Sequence, residues 1–276
     1  MNKLDAIAQQ IGKPYYFKKN VLLYKMDCIE AMRKINSSCI NLTITSPPYN
    51  IGKEYEKVLP LEKYLSWAHE WMNEIYRITT NDGAFFLNIG YLEIPFKGLA
   101  VPLAYLLWDK TPFYFIQEIV WNYGAGVACS NKLSPRNEKI LWYVKNNKRY
   151  TFNLDDIRDK NVKYPNQKKN GKLRCNTLGK NPSDVWQIAK VTSGKNRASP
   201  ERTPHPAQFP TDLIVRIIKG FSNKNDIILD PFIGSGTVAD VAIKNERLVI
   251  GFDIEEKYLK YAIRRFNNSL DLFEGL

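Results

Sequence analysis

Short apolar runs alternate along the chain with amphipathic stretches at helical spacing, and turn-forming residues punctuate both. Val21-Leu22-Leu23-Tyr24 reads as a buried strand running into Asp27, followed by a short helix over 28–34. Ile40-Asn41-Leu42-Thr43-Ile44 reads as a second strand. Leu61, Tyr64, Leu65, Ala68, Trp71, Met72 and Ile75 line one face of a helix, which Asn81-Asp82-Gly83 is expected to stop before a strand over 84–89. A helix over 99–108 and strands over 113–121 and 139–144 follow. Periodicity then fades until 210–221, where Leu213, Ile214, Ile217 and Ile218 mark a helix. The chain closes on a strand over 226–230, a helix over 237–245, a strand over 248–254 and a helix over 256–266. This alternation predicts an α/β fold, a doubly wound and mostly parallel sheet with helices on both faces.

Composition sharpens the picture in one region. The 276 residues carry a net charge of +12. The segment 131–203 holds 18 Lys or Arg against six acids, which leaves the rest of the chain neutral. A neutral body with one basic segment suits a polyanion-binding enzyme. Tyr150, Phe152, Tyr164, Pro165 and Trp186 interleave those charges, whereas a solvated, disordered tract would be poorer in them. The weak pattern from 146 to about 203, roughly 55 residues, is also too long for a passive loop in a compact domain. The expected organisation is therefore 1–145 as one half of a domain, 146–203 as an inserted recognition region, and 204–276 as the other half. No stretch approaches a membrane span, and 1–13 lacks the apolar core of a signal peptide, so the cytoplasm is the expected compartment. Four cysteines without a C-x-x-C pair and only two histidines argue against a metal site. His205 reads as a packing or hydrogen-bonding residue.

Two strand ends carry the chemistry. Asp230-Pro231-Phe232-Ile233-Gly234-Ser235-Gly236-Thr237 is a glycine turn between a strand and a helix, where backbone approaches a ligand closely and the helix offers its positive end. It has neither the G-x-G-x-x-G spacing nor a Gly-Lys-Ser/Thr grip, so NAD and ATP fit poorly. Asp253 ends the next strand, where an acid can accept both hydroxyls of a ribose. Earlier, Thr45-Ser46-Pro47-Pro48-Tyr49-Asn50 ends the second strand. Alone it is a turn with a buried tyrosine. Its two prolines fix φ and stiffen the loop, Ser46 Oγ and the Pro47 carbonyl are acceptors, and Tyr49 offers a stacking face.

Together and in this order, the two loops resemble the amino-methylating DNA methyltransferases, specifically their circularly permuted beta class. The resemblance covers roughly 21–145 and 205–266. It implies a Rossmann-like sheet that binds S-adenosylmethionine (AdoMet), with Asp230, Pro231, Phe232, Gly234, Ser235, Gly236, Thr237 and Asp253 at the cofactor and Asp27 as a further pocket candidate. It implies that Ser46, Pro47, Pro48 and Tyr49 hold an extruded base whose amino group takes the methyl, without a metal. His205-Pro206-Ala207-Gln208-Phe209-Pro210 resembles the element leading to the cofactor-side helix, although many relatives have lysine where Phe209 stands. Arg136 to Trp142 resembles the strand closing the catalytic region, and Trp121 and Asn122 are candidates for the pocket edge. Serine before Pro-Pro-Tyr is typical of cytosine-N4 methylation, aspartate or asparagine of adenine-N6; some adenine enzymes carry serine, so cytosine is favoured and adenine stays open. The partners implied are double-stranded DNA and, functionally, a cognate restriction endonuclease; the protein would be a monomer or homodimer. A non-catalytic DNA-binding regulator is the reading from another class, and the intact Ser46-Pro47-Pro48-Tyr49 and glycine loop argue against it.

Overall fold

The computed structural model describes residues 3–36, 38–126, 128–191 and 199–270. Lys195 and Arg197 of the basic segment lie outside the described residues. The chain begins with α1 (Lys3–Ile11), β1 (Tyr16–Lys18), β2 (Val21–Lys25), α2 (Cys28–Arg33) and β3 (Ile40–Thr45). Next come α3 (Leu61–Ile78), β4 (Thr79–Ile89), a hairpin of β5 (Tyr91–Ile94) and β6 (Gly98–Pro102), α4 (Ala104–Leu107), β7 (Tyr114–Asn122) and β8 (Asn137–Val144). A 3-10 turn at Leu154–Ile157 precedes β9 (Lys168–Lys169), β10 (Lys172–Leu173) and β11 (Val185–Gln187). The last part holds α5 (Thr211–Phe221), β12 (Ile227–Asp230), α6 (Thr237–Lys244), β13 (Leu248–Asp253) and α7 (Glu256–Leu270).

Nine strands form one sheet in the order β1-β2-β13-β12-β3-β4-β8-β7-β11. Neighbours from β2 to β4 run parallel, β8 runs antiparallel to β4 and β7, and β11 is again parallel to β7. Strand alternation divides the core into two layers. Leu22 and Tyr24 pack with residues of α1, α2 and α3, whereas Val21 and Leu23 pack with those of α5, α6 and α7. The parallel, doubly wound sheet expected from the pattern is present.

Three local readings are corrected, and one further element is added. No helix spans 99–108: β6 occupies Gly98–Pro102, and only Ala104–Leu107 is helical. Pro102 has no N–H for a helical bond at that position. Asn81-Asp82-Gly83 is not a break but lies within β4, at an irregularity of register with β3; Gly83 marks a bulge rather than a turn. The N-terminus forms α1, burying Leu4, Ile7 and Ile11 at helical spacing. Finally, the stretch without evident pattern contains a strand of the main sheet, β11, whose Trp186 is buried in the second core layer.

The basic segment therefore divides in two. Phe152 stacks on Phe221, Trp142 meets Tyr150 edge-on, and Asn153 N–H donates to Gly220 O at 2.7 Å, so the residues before Arg158 pack on the body. Asp159 and Lys180 then exchange backbone hydrogen bonds of 3.0 Å in both directions, closing a neck. Beyond that neck, 160–179 forms a largely exposed lobe carrying the β9–β10 hairpin.

Candidate active site

β3 and β12 are adjacent and parallel, so the loops leaving their C-terminal ends emerge side by side. Thr45 Oγ1 donates to Asp230 Oδ1 at 2.8 Å, and this buried bond pins the two strand ends together. Ser46, Pro47, Pro48 and Tyr49 on one side, and Asp230, Pro231, Phe232, Gly234, Ser235 and Thr237 on the other, line a single cavity of about 850 Å³. Asp253 and Asp27 reach the same cavity from the adjacent strand ends. Loops separated by some 180 residues thus face one space at the C-terminal edge of the sheet, where open α/β folds hold ligands.

Not every expected residue touches that space. Gly236 is absent from the wall and serves the loop-to-helix packing instead. Its φ is 74°, and a Cβ added there would lie 2.6 Å from Cα and Cβ of Ala262 on α7. Asp27 reaches the wall as the cap of α2, its Oδ1 accepting from the N–H groups of Ile29 and Glu30. Trp121 lines the cavity, whereas Asn122 turns to accept from Gly124 N–H at 3.1 Å.

On the glycine-loop side, Gly234 N–H donates to Asp253 Oδ2 at 3.1 Å and Glu255 N–H to Asp253 Oδ1 at 2.8 Å. These bonds aim the carboxylate across the loop. Burial raises the Asp253 carboxyl to about 6 and that of Asp230 to about 7, outweighing the hydrogen bonds that each accepts. His205 sits between Tyr55, stacked at 6.0 Å, and Tyr258, edge-on at 4.4 Å. Burial lowers it to about 4, so it is a neutral packing residue at neutral pH. A Cβ on Gly234 would come within 2.9 Å of His205 Nε2.

On the other side the diproline turn is held firmly. Tyr64 donates to Pro48 O at 2.8 Å, and the Glu56 carboxylate accepts from the N–H groups of Asn50, Ile51 and Lys53. Ser46 Oγ lies 2.8 Å from Tyr49 Oη. Tyr49 in turn meets Asn88 and Glu138, and Glu138 pairs with Lys190 at 2.5 Å. Burial, then the nearby Glu138 charge, push the Tyr49 phenol well up, so it keeps its proton.

Asn88, Glu138 and Lys190 were not evident as site residues from the sequence. The available signal was small: Asn88 is a polar residue within an apolar strand, and Glu138 stands just before another. Lys190 is one lysine among many, and its role depends on β11 bringing it back to the sheet.

Comparison with known proteins places this geometry in context. A family model described as DNA methylase, of the N6/N4 type, matches residues 40–264. Over 263 residues the chain is 57% identical to type II methyltransferase M.ScaI of Streptomyces caespitosus, a match spanning 95% of this chain and 86% of that protein. Among solved structures, PvuII DNA methyltransferase (cytosine-N4-specific) is similar with a TM-score of 0.73 at 19% identity, over 92% of this chain and 89% of that one. The structure of M1.HpyAVI in complex with SAM is similar with a TM-score of 0.60 at 25% identity, over 90% of this chain and 99% of that one.

Proposed function

The chain belongs to the N6/N4 DNA methylase family, and from that premise we propose that it transfers a methyl group from AdoMet to the exocyclic N4 of cytosine at specific sites in duplex DNA. Such modification would protect those sites from a cognate restriction endonuclease, the setting that the type II naming of M.ScaI suggests. The observation that carries the reading is the Thr45–Asp230 bond, which joins the Ser46-Pro47-Pro48-Tyr49 turn to the glycine loop around one cavity. Ser46 favours cytosine over adenine.

The residues present fit the cofactor. Asp253 presents a half-buried carboxylate suited to a ribose diol, and a side chain at Gly234 would fill the space between the glycine loop and His205. Pro231, Phe232 and Ile233 supply an apolar wall. When bound, AdoMet supplies an electrophilic sulfonium methyl. The chain's own residues have to present the amino group, whose lone pair is delocalised into the ring and makes it a poor nucleophile. Ser46 Oγ and the Pro47 carbonyl accept its two hydrogens and turn the lone pair toward the methyl, and Tyr49 stacks on the base once it leaves the duplex. The roles of all these residues are part of the proposal.

The decisive experiment offers the enzyme labelled AdoMet and duplex DNA, then identifies the modified nucleoside by mass spectrometry. N4-methylcytosine is expected. N6-methyladenine would overturn the choice of base, and no incorporation would overturn the proposed activity.

Two further outcomes are expected. Because only the ionised Asp253 carboxylate can accept both ribose hydroxyls, AdoMet affinity should rise about tenfold per pH unit up to about 6 and level off above it. Calorimetric titration across that range, with Asp253→Asn as the variant lacking the slope, tests this. The 160–180 region carries seven Lys or Arg and no acid. If about five phosphates are engaged, log affinity for DNA should fall with log salt at a slope of roughly −4 to −5. Excising 161–178 beyond the neck should flatten that slope and erase site preference while AdoMet binding persists; an unchanged slope would refute this placement of the DNA contacts.

A further inference from the structure

Tyr49 Oη is the hub of a hydrogen-bond cluster whose proton arrangement can be worked out. Asn88 Nδ2 donates to it at 2.7 Å, and Ser46 Oγ lies 2.8 Å away. Asn88 O and Glu138 Oε2 each lie 3.2 Å away as acceptors. Glu138 Oε2 also accepts from Asn88 Nδ2 at 2.8 Å, while its Oε1 accepts from Lys190 Nζ at 2.5 Å.

A phenol has one proton to give and two lone pairs to fill. The possible takers are a neutral carbonyl, the Ser46 hydroxyl and a carboxylate. Ser46 Oγ is nearer, at 2.8 Å, but a hydroxyl can also donate, whereas the carboxylate at 3.2 Å can only accept and forms the stronger bond as an ionised group, so the proton goes to Glu138. Tyr49 Oη then accepts from Asn88 and has one lone pair left for Ser46. In the 2.8 Å contact Ser46 must therefore be the donor, with its proton directed inward and its lone pairs facing the cavity.

We propose that Glu138 sets the direction of this proton chain and is thereby a positioning residue that makes Ser46 a pure hydrogen-bond acceptor for the target amino group. Lys190 completes the device. Its ammonium sits 3.9 Å above the Tyr123 ring and occupies the outer carboxylate oxygen, leaving the inner one for Tyr49 and Asn88. Without the carboxylate, only Asn88 O at 3.2 Å and Ser46 Oγ at 2.8 Å can take the Tyr49 proton; the shorter contact takes it, and the serine proton then faces the cavity as a donor where an acceptor is required. This rests on the reading of Ser46 as the acceptor in methyl transfer.

Glu138→Gln is the discriminating substitution. Its amide oxygen pairs with Lys190, so its NH₂ faces Tyr49 and reverses the chain. The single-turnover methylation rate at saturating AdoMet and DNA should fall about 10- to 100-fold, the worth of one hydrogen bond to a charged group, with AdoMet affinity unchanged. In a Tyr49→Phe background the same substitution should have little further effect, because the relay is already cut. An undiminished rate, or the same fold loss in both backgrounds, would overturn the proposal. Neutron diffraction on the deuterated wild-type protein provides a measurement independent of folding of the variant and of activity. The Ser46 deuteron is expected between Oγ and Tyr49 Oη, and a deuteron on the cavity side would overturn the proton direction. Absence of any methylation by the wild type would sink the proposed function and leave that neutron result to judge the proton chain by itself.

Discussion

Ser46→Ala is expected to lower the methyl-transfer rate by about two to three orders of magnitude, comparable to deleting one preorganised hydrogen-bonding group in other active sites. AdoMet affinity should barely change. The loop keeps its place without the serine side chain, because Thr45 is bonded to Asp230, Pro48 O to Tyr64, and the Asn50–Lys53 backbone to Glu56. What disappears is an acceptor for an amino hydrogen, and with it the alignment of the lone pair. Rapid-quench single-turnover measurement with labelled AdoMet, set beside calorimetry of cofactor binding, separates the two effects. A variant that retained most of the wild-type rate would remove Ser46 from the chemistry.

Gly236→Val should be the more disruptive change, by a different route. The position has a left-handed φ of 74°, which costs a β-branched residue on the order of 1–3 kcal/mol. Its new Cβ would also press on the backbone of α7 at Ala262, and overpacking of this kind costs about 1–3 kcal/mol more. A backbone neighbour cannot swing aside, so the expected result is a melting temperature lowered by several degrees and loss of AdoMet binding. Gly234 provides the control. Its φ of 47° is also left-handed, but an added Cβ meets the ring nitrogen of His205, a side chain. Trimming that ring in Gly234→Ala/His205→Ala should recover part of the affinity lost by Gly234→Ala. The equivalent rescue is not open to Gly236, whose obstacle is main chain. Thermal melts and AdoMet titrations of the four proteins test the contrast, and a Gly236→Val protein as stable as wild type would refute it.

The parallel centre of the fold was legible because β2, β3, β12 and β13 are buried on both faces and read as short apolar runs. Their ends then place both loops, since adjacent parallel strands release their chains at the same edge. Elements that depend on tertiary context were harder to see. β11 is three residues long and becomes a strand because β7 offers it a free edge and Trp186 finds the second core layer. Gly83 looks like a stop signal until β3 lies beside it. The Glu138 relay has the same character. Asn88 and Glu138 come from two strands and Lys190 from the segment after β11, with no fixed spacing, so their partnership exists only after the sheet has assembled.

The neck at Asp159 and Lys180 has a consequence for how the molecule could be divided. The chain enters and leaves the exposed lobe through one antiparallel bridge, and the hairpin turn at Asn170-Gly171 lies far along it. A protease nick there would yield two fragments, one bearing the diproline turn and the other the glycine turn. The nine-stranded sheet interleaves strands from both fragments, with β12 and β13 of the second held between β2 and β3 of the first. The severed pieces would stay clasped, and the protein is a natural template for a two-fragment enzyme whose assembly can be placed under external control.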